Sequence, residues 1–154
     1  MNSDNKLSSL LSLTTINLNL KGRSKQAIID EMVQMLDEAK LLRNRVEVRK
    51  AVMEREAKLS TGLGFGIAVP HGKTNGVDKL VGALGVQREG VPFDSADGEP
   101  AKIFFMLISP ENVTGPHIKA LAALAKFLRT DKKRKALLAA NSPEKVLTIF
   151  DENA

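Results

Sequence analysis

Apolar residues change their period several times along the chain, and each change predicts an element. Leu7, Leu10 and Leu11 recur at i, i+3 and i+4, which predicts a short helical turn at the start. Thr15-Ile16-Asn17-Leu18-Asn19-Leu20 alternates apolar and polar residues, the pattern of a half-buried strand, and Gly22 breaks it. Ser24 can cap a helix over about 25–40 whose stripe is Ile28, Ile29, Met32, Val33 and Leu36. Asn44, followed three residues later by Glu47, resembles a capping box and predicts a second helix. That helix buries Val48 and Val52 and ends near Ala57. Gly62 to Gly66 predicts a loop, and Ile67-Ala68-Val69 a short buried strand. Pro70 has no amide hydrogen for a sheet ladder, so this strand should stop or reach an edge just before His71.

In the second half, Leu80 to Val86 is apolar enough for a central strand, and residues 89–94 and 96–100 carry loop and turn chemistry. Ile103-Phe104-Phe105-Met106-Leu107-Ile108 predicts a strand buried on both faces, hence helices on both sides of the sheet. Gly115-Pro116 opens a helix with proline in its first turn and Ile118, Leu121, Ala122, Leu124, Ala125 and Leu128 as its stripe. A short basic helix follows. Ser142-Pro143-Glu144 starts the last helix, packed by Val146, Leu147, Ile149 and Phe150. With no internal repeat or long linker, residues 1–154 are expected to form one α/β domain, a central sheet covered by helices on both faces. Residues 1–6 are expected to be a flexible tail.

Composition narrows the function classes. Hydrophobic residues at 43% and charged residues at 27% fit an ordinary globular chain. The absence of cysteine excludes disulfides, thiolate metal sites and a cysteine nucleophile. Serines interrupt the apolar residues near the N-terminus and Asp4 precedes them, unlike a secretory signal. No stretch approaches the roughly 18 apolar residues of a membrane span, so a cytoplasmic location is expected. Much of the +5 net charge lies in Lys126 to Lys135. Without tryptophan or tyrosine, and with only Phe127 in the run to stack a base, nucleic-acid binding is not expected. A solvated junction between helices, with a docking surface for an acidic protein as the alternative, accounts for the run.

The chemistry concentrates at Thr61-Gly62-Leu63-Gly64-Phe65-Gly66-Ile67-Ala68-Val69-Pro70-His71-Gly72-Lys73, which carries one of two histidines. Glycines let backbone approach closely and adopt positive φ, as a phosphate-cradling turn requires. A histidine there, neutral near pH 7 and beside a lysine, points to phosphoryl chemistry, with a structural histidine at a strand end as the alternative. Two nucleotide motifs fail on spacing. Five residues rather than four separate Gly66 from Gly72-Lys73-Thr74, and Gly62-x-Gly64-x-Gly66 lacks the two-residue second gap of the dinucleotide fingerprint. No Gly-x-Ser-x-Gly elbow is present. His71, His117 and a carboxylate lack a short-range ligand pair, so no metal site is expected. His117 in a helical first turn fits a capping or a functional role, and Arg55 fits an ion pair with a flanking glutamate.

The run Ser60 to Lys73 resembles the phosphorylation-site signature of IIA domains of the bacterial phosphoenolpyruvate-dependent sugar phosphotransferase system, of the fructose/mannitol class that includes the nitrogen-regulatory proteins. Arg55-Glu56, Phe93-Asp94-Ser95 and Pro116-His117 extend the resemblance over almost the whole chain. It implies a single α/β domain with a mixed sheet between helices and a cofactor-free phosphotransferase. His71 would accept a phosphoryl group from the phosphocarrier HPr or its nitrogen-branch counterpart. Arg55 and His117 would match the active-site arginine and second histidine, with backbone amides around Gly72 adding hydrogen bonds to phosphate. The acceptor would be a IIB domain, docking on a membrane permease, or a regulated protein; an independent chain favours regulation. Phe65 departs from the family pattern, where a small polar residue, commonly asparagine, is expected.

Overall fold

The computed structural model describes residues 7–151, so the tail expected at 1–6 lies outside the described residues. After a 3₁₀ turn at Leu7–Leu10 and another at Leu13–Thr15, the elements are β1 (Ile16–Asn17), α1 (Lys25–Glu38), α2 (Arg45–Lys58), β2 (Gly62–Gly64), β3 (Ile67–Ala68), β4 (His71–Lys73), β5 (Val81–Val91), β6 (Ala101–Ser109), α3 (Gly115–Leu128), α4 (Asp131–Ala139) and α5 (Pro143–Asp151). The sheet runs β1-β5-β6-β3-β2, with β4 also on β6. It is mixed: β1 is parallel to β5, β5 antiparallel to β6, and β3 and β4 both parallel to β6. This is the helix-covered mixed sheet that the residues and the resemblance imply.

Strand β6 divides the core. Phe104, Met106 and Ile108 point to one face, where they meet Ile28, Met32 and Leu36 of α1 and Val48 and Val52 of α2. Ile103, Phe105 and Leu107 point to the other, against Leu124 and Leu128 of α3, Leu137 of α4 and Val146 and Phe150 of α5. Each such side chain, fully buried, contributes about 1.5–3 kcal/mol relative to exposure. The helix starts follow the caps: Ser24 accepts the Ala27 N–H at 3.1 Å and Asn44 accepts the Glu47 N–H at 3.1 Å. The Asn44 N–H itself donates to the Gly76 carbonyl, which supplies the acceptor that Glu47 would provide in a full capping box. The basic run forms the α3–α4 junction, with Asp131 paired to Arg134 and Lys135.

Four expectations are corrected. The strand expected at 15–20 keeps alternating burial over 16–20, but its regular ladder stops at Asn17. Asn17 Oδ1 accepts the Asn19 N–H, and the chain bonds to β5 again at Leu20, whose N–H donates to the Val86 carbonyl. Strand β5 runs on to Val91 through a bulge, with Gln87 Oε1 accepting the Glu89 and Gly90 N–H groups. On α3 the buried positions are His117, Leu124, Phe127 and Leu128, whereas Ile118 is 61% exposed. The apolar stripe is rotated by one residue because His117 takes a buried place at the helix start. Finally, Gly62 to Gly66 is no open loop: it is the tip of an antiparallel β2–β3 hairpin. Gly64 and Gly66 adopt positive φ there, while Gly62 is needed for close approach, since a Cβ would lie 2.3 Å from Ser95 Oγ.

Candidate functional site

The interruption at Pro70 places His71. Strand β3 ends at Ala68, Pro70 accepts the Leu107 N–H through its carbonyl, and β4 resumes alongside β6 with His71 opposite Leu107. The His71 Nδ1 lies 2.8 Å from the Val69 carbonyl. A carbonyl only accepts, so Nδ1 carries the hydrogen and Nε2 keeps its lone pair. His71 lines a cavity of about 360 Å³ together with Arg55, Lys58, Gly72, Lys73 and His117. Thus the structure brings all four sequence-predicted residues, His71, Arg55, His117 and Gly72, to one cavity.

Helix α2 contributes two faces. Ala51, Glu54, Arg55 and Lys58 follow i, i+3, i+4 and i+7 and line the cavity, while Val48, Val52 and Glu56 face inward. Gly72 permits this packing, because a Cβ there would approach the Ala51 carbonyl carbon to 3.2 Å. Arg55 Nη1 donates to the Leu59 carbonyl at 2.7 Å, satisfying a helix-end acceptor. The expected ion pair with a flanking glutamate is not formed: Glu54 pairs with Lys50, and Glu56 with Lys25.

His117 is buried beside His71, with ring centroids 5.7 Å apart. Its Nδ1 is hydrogen-bonded to Ser109 Oγ. With the Ser109 hydroxyl as donor, the remaining ring hydrogen sits on Nε2. Lys73 Nζ donates to Thr114 Oγ1 at 2.7 Å and ties β4 to the start of α3. Burial holds the His71 pKa below the usual histidine value, opposed by the Val69 carbonyl, lowered further by Arg55 and raised by Glu56. Burial, then His71 and Lys73, push His117 down to about 4. An unfolded histidine binds its proton near 6.5, so the unfolded state binds more protons between these values. Stability supplied by neutral His117 is therefore complete above about 6.5 and lost as pH falls towards about 4. Denaturant titrations across that range should show this acid limb flattened in His117→Asn.

The hairpin glycines do not line the cavity, so the phosphate-cradling turn expected of Gly62, Gly64 and Gly66 is a strand reversal instead. Phe65 sits at its tip with φ 57° and is 59% exposed. Its N–H donates to Asp97 Oδ2 and its ring lies 5.0 Å from the Arg134 guanidinium. Those two contacts offset a left-handed conformation that asparagine adopts more readily. Sequence reasoning missed Lys58, Ser109 and the inward role of Glu56. The signals were present: Lys58 stands three residues after Arg55, and Glu56 continues the i, i+4 series of Val48 and Val52. No group of three or more potential metal ligands is gathered among the described residues.

The chain matches the family model described as "Phosphoenolpyruvate-dependent sugar phosphotransferase system, EIIA 2" over residues 9–153. It belongs to that IIA family. Its sequence is 38% identical over 148 residues to the fructose-specific EIIABC component of Bacillus subtilis, covering 96% of this chain and 23% of that protein. The chain thus spans about a quarter of that relative's length. It is 33% identical to the fructose-specific EIIA component of Haloferax volcanii, with 95% of each chain covered. The crystal structure of nitrogen regulatory protein IIA-Ntr from Neisseria meningitidis superposes with a TM-score of 0.86 at 36% identity, covering 94% of this chain and 98% of that one. Both fructose-specific and nitrogen-regulatory proteins are therefore relatives of this IIA domain. Among the described residues no helix is long and apolar enough to cross a membrane.

Proposed function

We propose that this IIA domain is a phosphoryl carrier whose acceptor atom is Nε2 of His71. The observation that carries the reading is the 2.8 Å bond from His71 Nδ1 to the Val69 carbonyl, which leaves the Nε2 lone pair unused at a cavity lined by cations. In the forward step the Nε2 lone pair forms a bond to phosphorus. The bond from phosphorus to the donor's histidine nitrogen breaks, and that nitrogen keeps the electron pair. No proton need leave His71, because its single ring hydrogen stays on Nδ1. Arg55, Lys58 and Lys73 neutralise charge on the equatorial oxygens, and His117 Nε2–H and the Gly72 backbone supply hydrogen bonds. The donor is an HPr-type phosphoprotein, so the phosphoryl group arrives already activated and no resident cofactor is required.

The destination has two readings. Likeness to IIA-Ntr supports a regulatory protein whose phosphorylation state controls a partner. The fructose-specific relatives support a sugar-specific component that passes phosphate to a IIB domain at a membrane permease. Incubation with phosphoenolpyruvate and enzyme I plus either an HPr or a nitrogen-branch carrier tests the proposal. Faster labelling by the nitrogen-branch carrier supports regulation, faster labelling by HPr supports transport, and labelling by neither overturns the carrier reading.

A further inference from the structure

Glu56 is a buried charged group near the site that the transfer step does not use, only 5% exposed. A carboxylate at a position that continues an apolar stripe carries a desolvation cost that a leucine would avoid. Its partners come from two other parts of the fold. Lys25 of α1 approaches at 3.0 Å and is shared with Asp94. From the segment leading into β2, the Thr61 N–H donates to Glu56 Oε2 at 2.9 Å and the Thr61 hydroxyl to Oε1. Both carboxylate oxygens thus hold one residue by its backbone and its side chain.

The hydrogen bonds continue from Thr61 towards the histidine. The Thr61 carbonyl accepts the Val69 N–H at 3.0 Å, and the Val69 carbonyl accepts the His71 Nδ1–H at 2.8 Å. Val69 lies in the gap between β3 and β4, where the ladder on β6 is interrupted, so Thr61 is what anchors it laterally. We propose that Glu56 is a positioning residue for His71. Acting through Thr61 and Val69, it fixes the carbonyl that orients the ring and keeps the hydrogen on Nδ1. The proposal rests on His71 being the phosphoryl acceptor. The coupling is positional, each residue holding the next in place, and the Glu56 charge also favours a more basic His71. Lys25 compensates the buried charge without reaching the cavity, whose lining does not include it.

The test uses the full chain with ¹⁵N-labelled histidine, as wild type, Glu56→Gln, Thr61→Val and Thr61→Ser. Long-range ¹H–¹⁵N spectra above pH 7 read the His71 tautomer before any phosphoryl group is present. Single-turnover labelling by an HPr-type donor then gives a transfer rate and an apparent donor KM. Wild type should show the Nδ1–H form. Glu56→Gln and Thr61→Val should show mixed tautomers and a transfer rate lower by roughly tenfold, the scale for losing an orienting partner of a functional histidine, with donor KM unchanged. Thr61→Ser, which keeps the hydroxyl, should restore what Thr61→Val loses. If Glu56→Gln fails to fold, the isosteric Thr61→Val alone decides. Unchanged spectra and rates with only a lower melting temperature would make Glu56 a mere brace and overturn the proposal. Failure of wild type to be labelled at His71 would overturn the carrier reading, while the tautomer comparison would still decide the role of Glu56.

Discussion

His71→Ala is expected to abolish phosphoryl incorporation from an HPr-type donor while the domain stays folded. The loss should be complete because positioning and charge stabilisation are useless without an attacking lone pair. The second histidine is a poor substitute. His117 is buried, its Nδ1 is engaged by Ser109, and its pKa is pushed down to about 4, which weakens it as a nucleophile. The structural cost should be small. His71 is half-buried at the start of a three-residue strand, and its side-chain hydrogen bond goes to Val69, two residues away. Loss of one such bond costs about 1 kcal/mol. Radiolabelled phosphate incorporation measured beside circular dichroism separates the two effects, and label persisting on a folded His71→Ala protein would count against the assignment.

Arg55→Ala is expected to slow transfer by roughly 10²–10³-fold, the cost of removing one preorganised donor from developing charge. The guanidinium has five N–H donors, and among the described residues one of them is used, on the Leu59 carbonyl. The rest remain for a phosphoryl group in the cavity that Arg55 lines with His71. Because the bond to Leu59 lies at an exposed helix end, its loss should lower stability by no more than about 1 kcal/mol. Quench-flow transfer rates and thermal melts on the same variant decide the matter. A protein that melts early yet transfers at the wild-type rate would show that Arg55 serves the helix end alone.

Much of the fold was legible because β6 and α1 each satisfy a single period without conflict. All five stripe residues of α1 are buried, and the six apolar residues of β6 divide evenly between the two faces. Legibility failed where a local hydrogen bond or a buried polar side chain overrode the pattern. Asn17 interrupts the ladder with its own side chain before Leu20 rejoins β5, and buried His117 displaces Ile118 to solvent. The glycine run was informative for a different reason from the one its composition suggested. Gly64 and Gly66 reverse a strand and Gly62 admits Ser95, whereas Gly72, lying under α2, is the glycine at the cavity. Arg55 and His117 are 62 residues apart in sequence and meet only because α2 and the start of α3 both pack beside β4. Spacing within the chain carries no signal for such a meeting, so it was the resemblance that named those residues together. The Lys25–Glu56–Thr61 cluster was hidden in the same way, although the i, i+4 series on α2 marked Glu56 as inward-facing.

The most direct measurement is the ¹⁵N spectrum of histidine-labelled protein after phosphorylation by enzyme I and an HPr-type carrier. A phosphorus–nitrogen coupling on Nε2 of His71, with Nδ1 still bearing its hydrogen, is the result the geometry predicts. A phosphoryl group on Nδ1 of His71, on His117 or on any other side chain would contradict it.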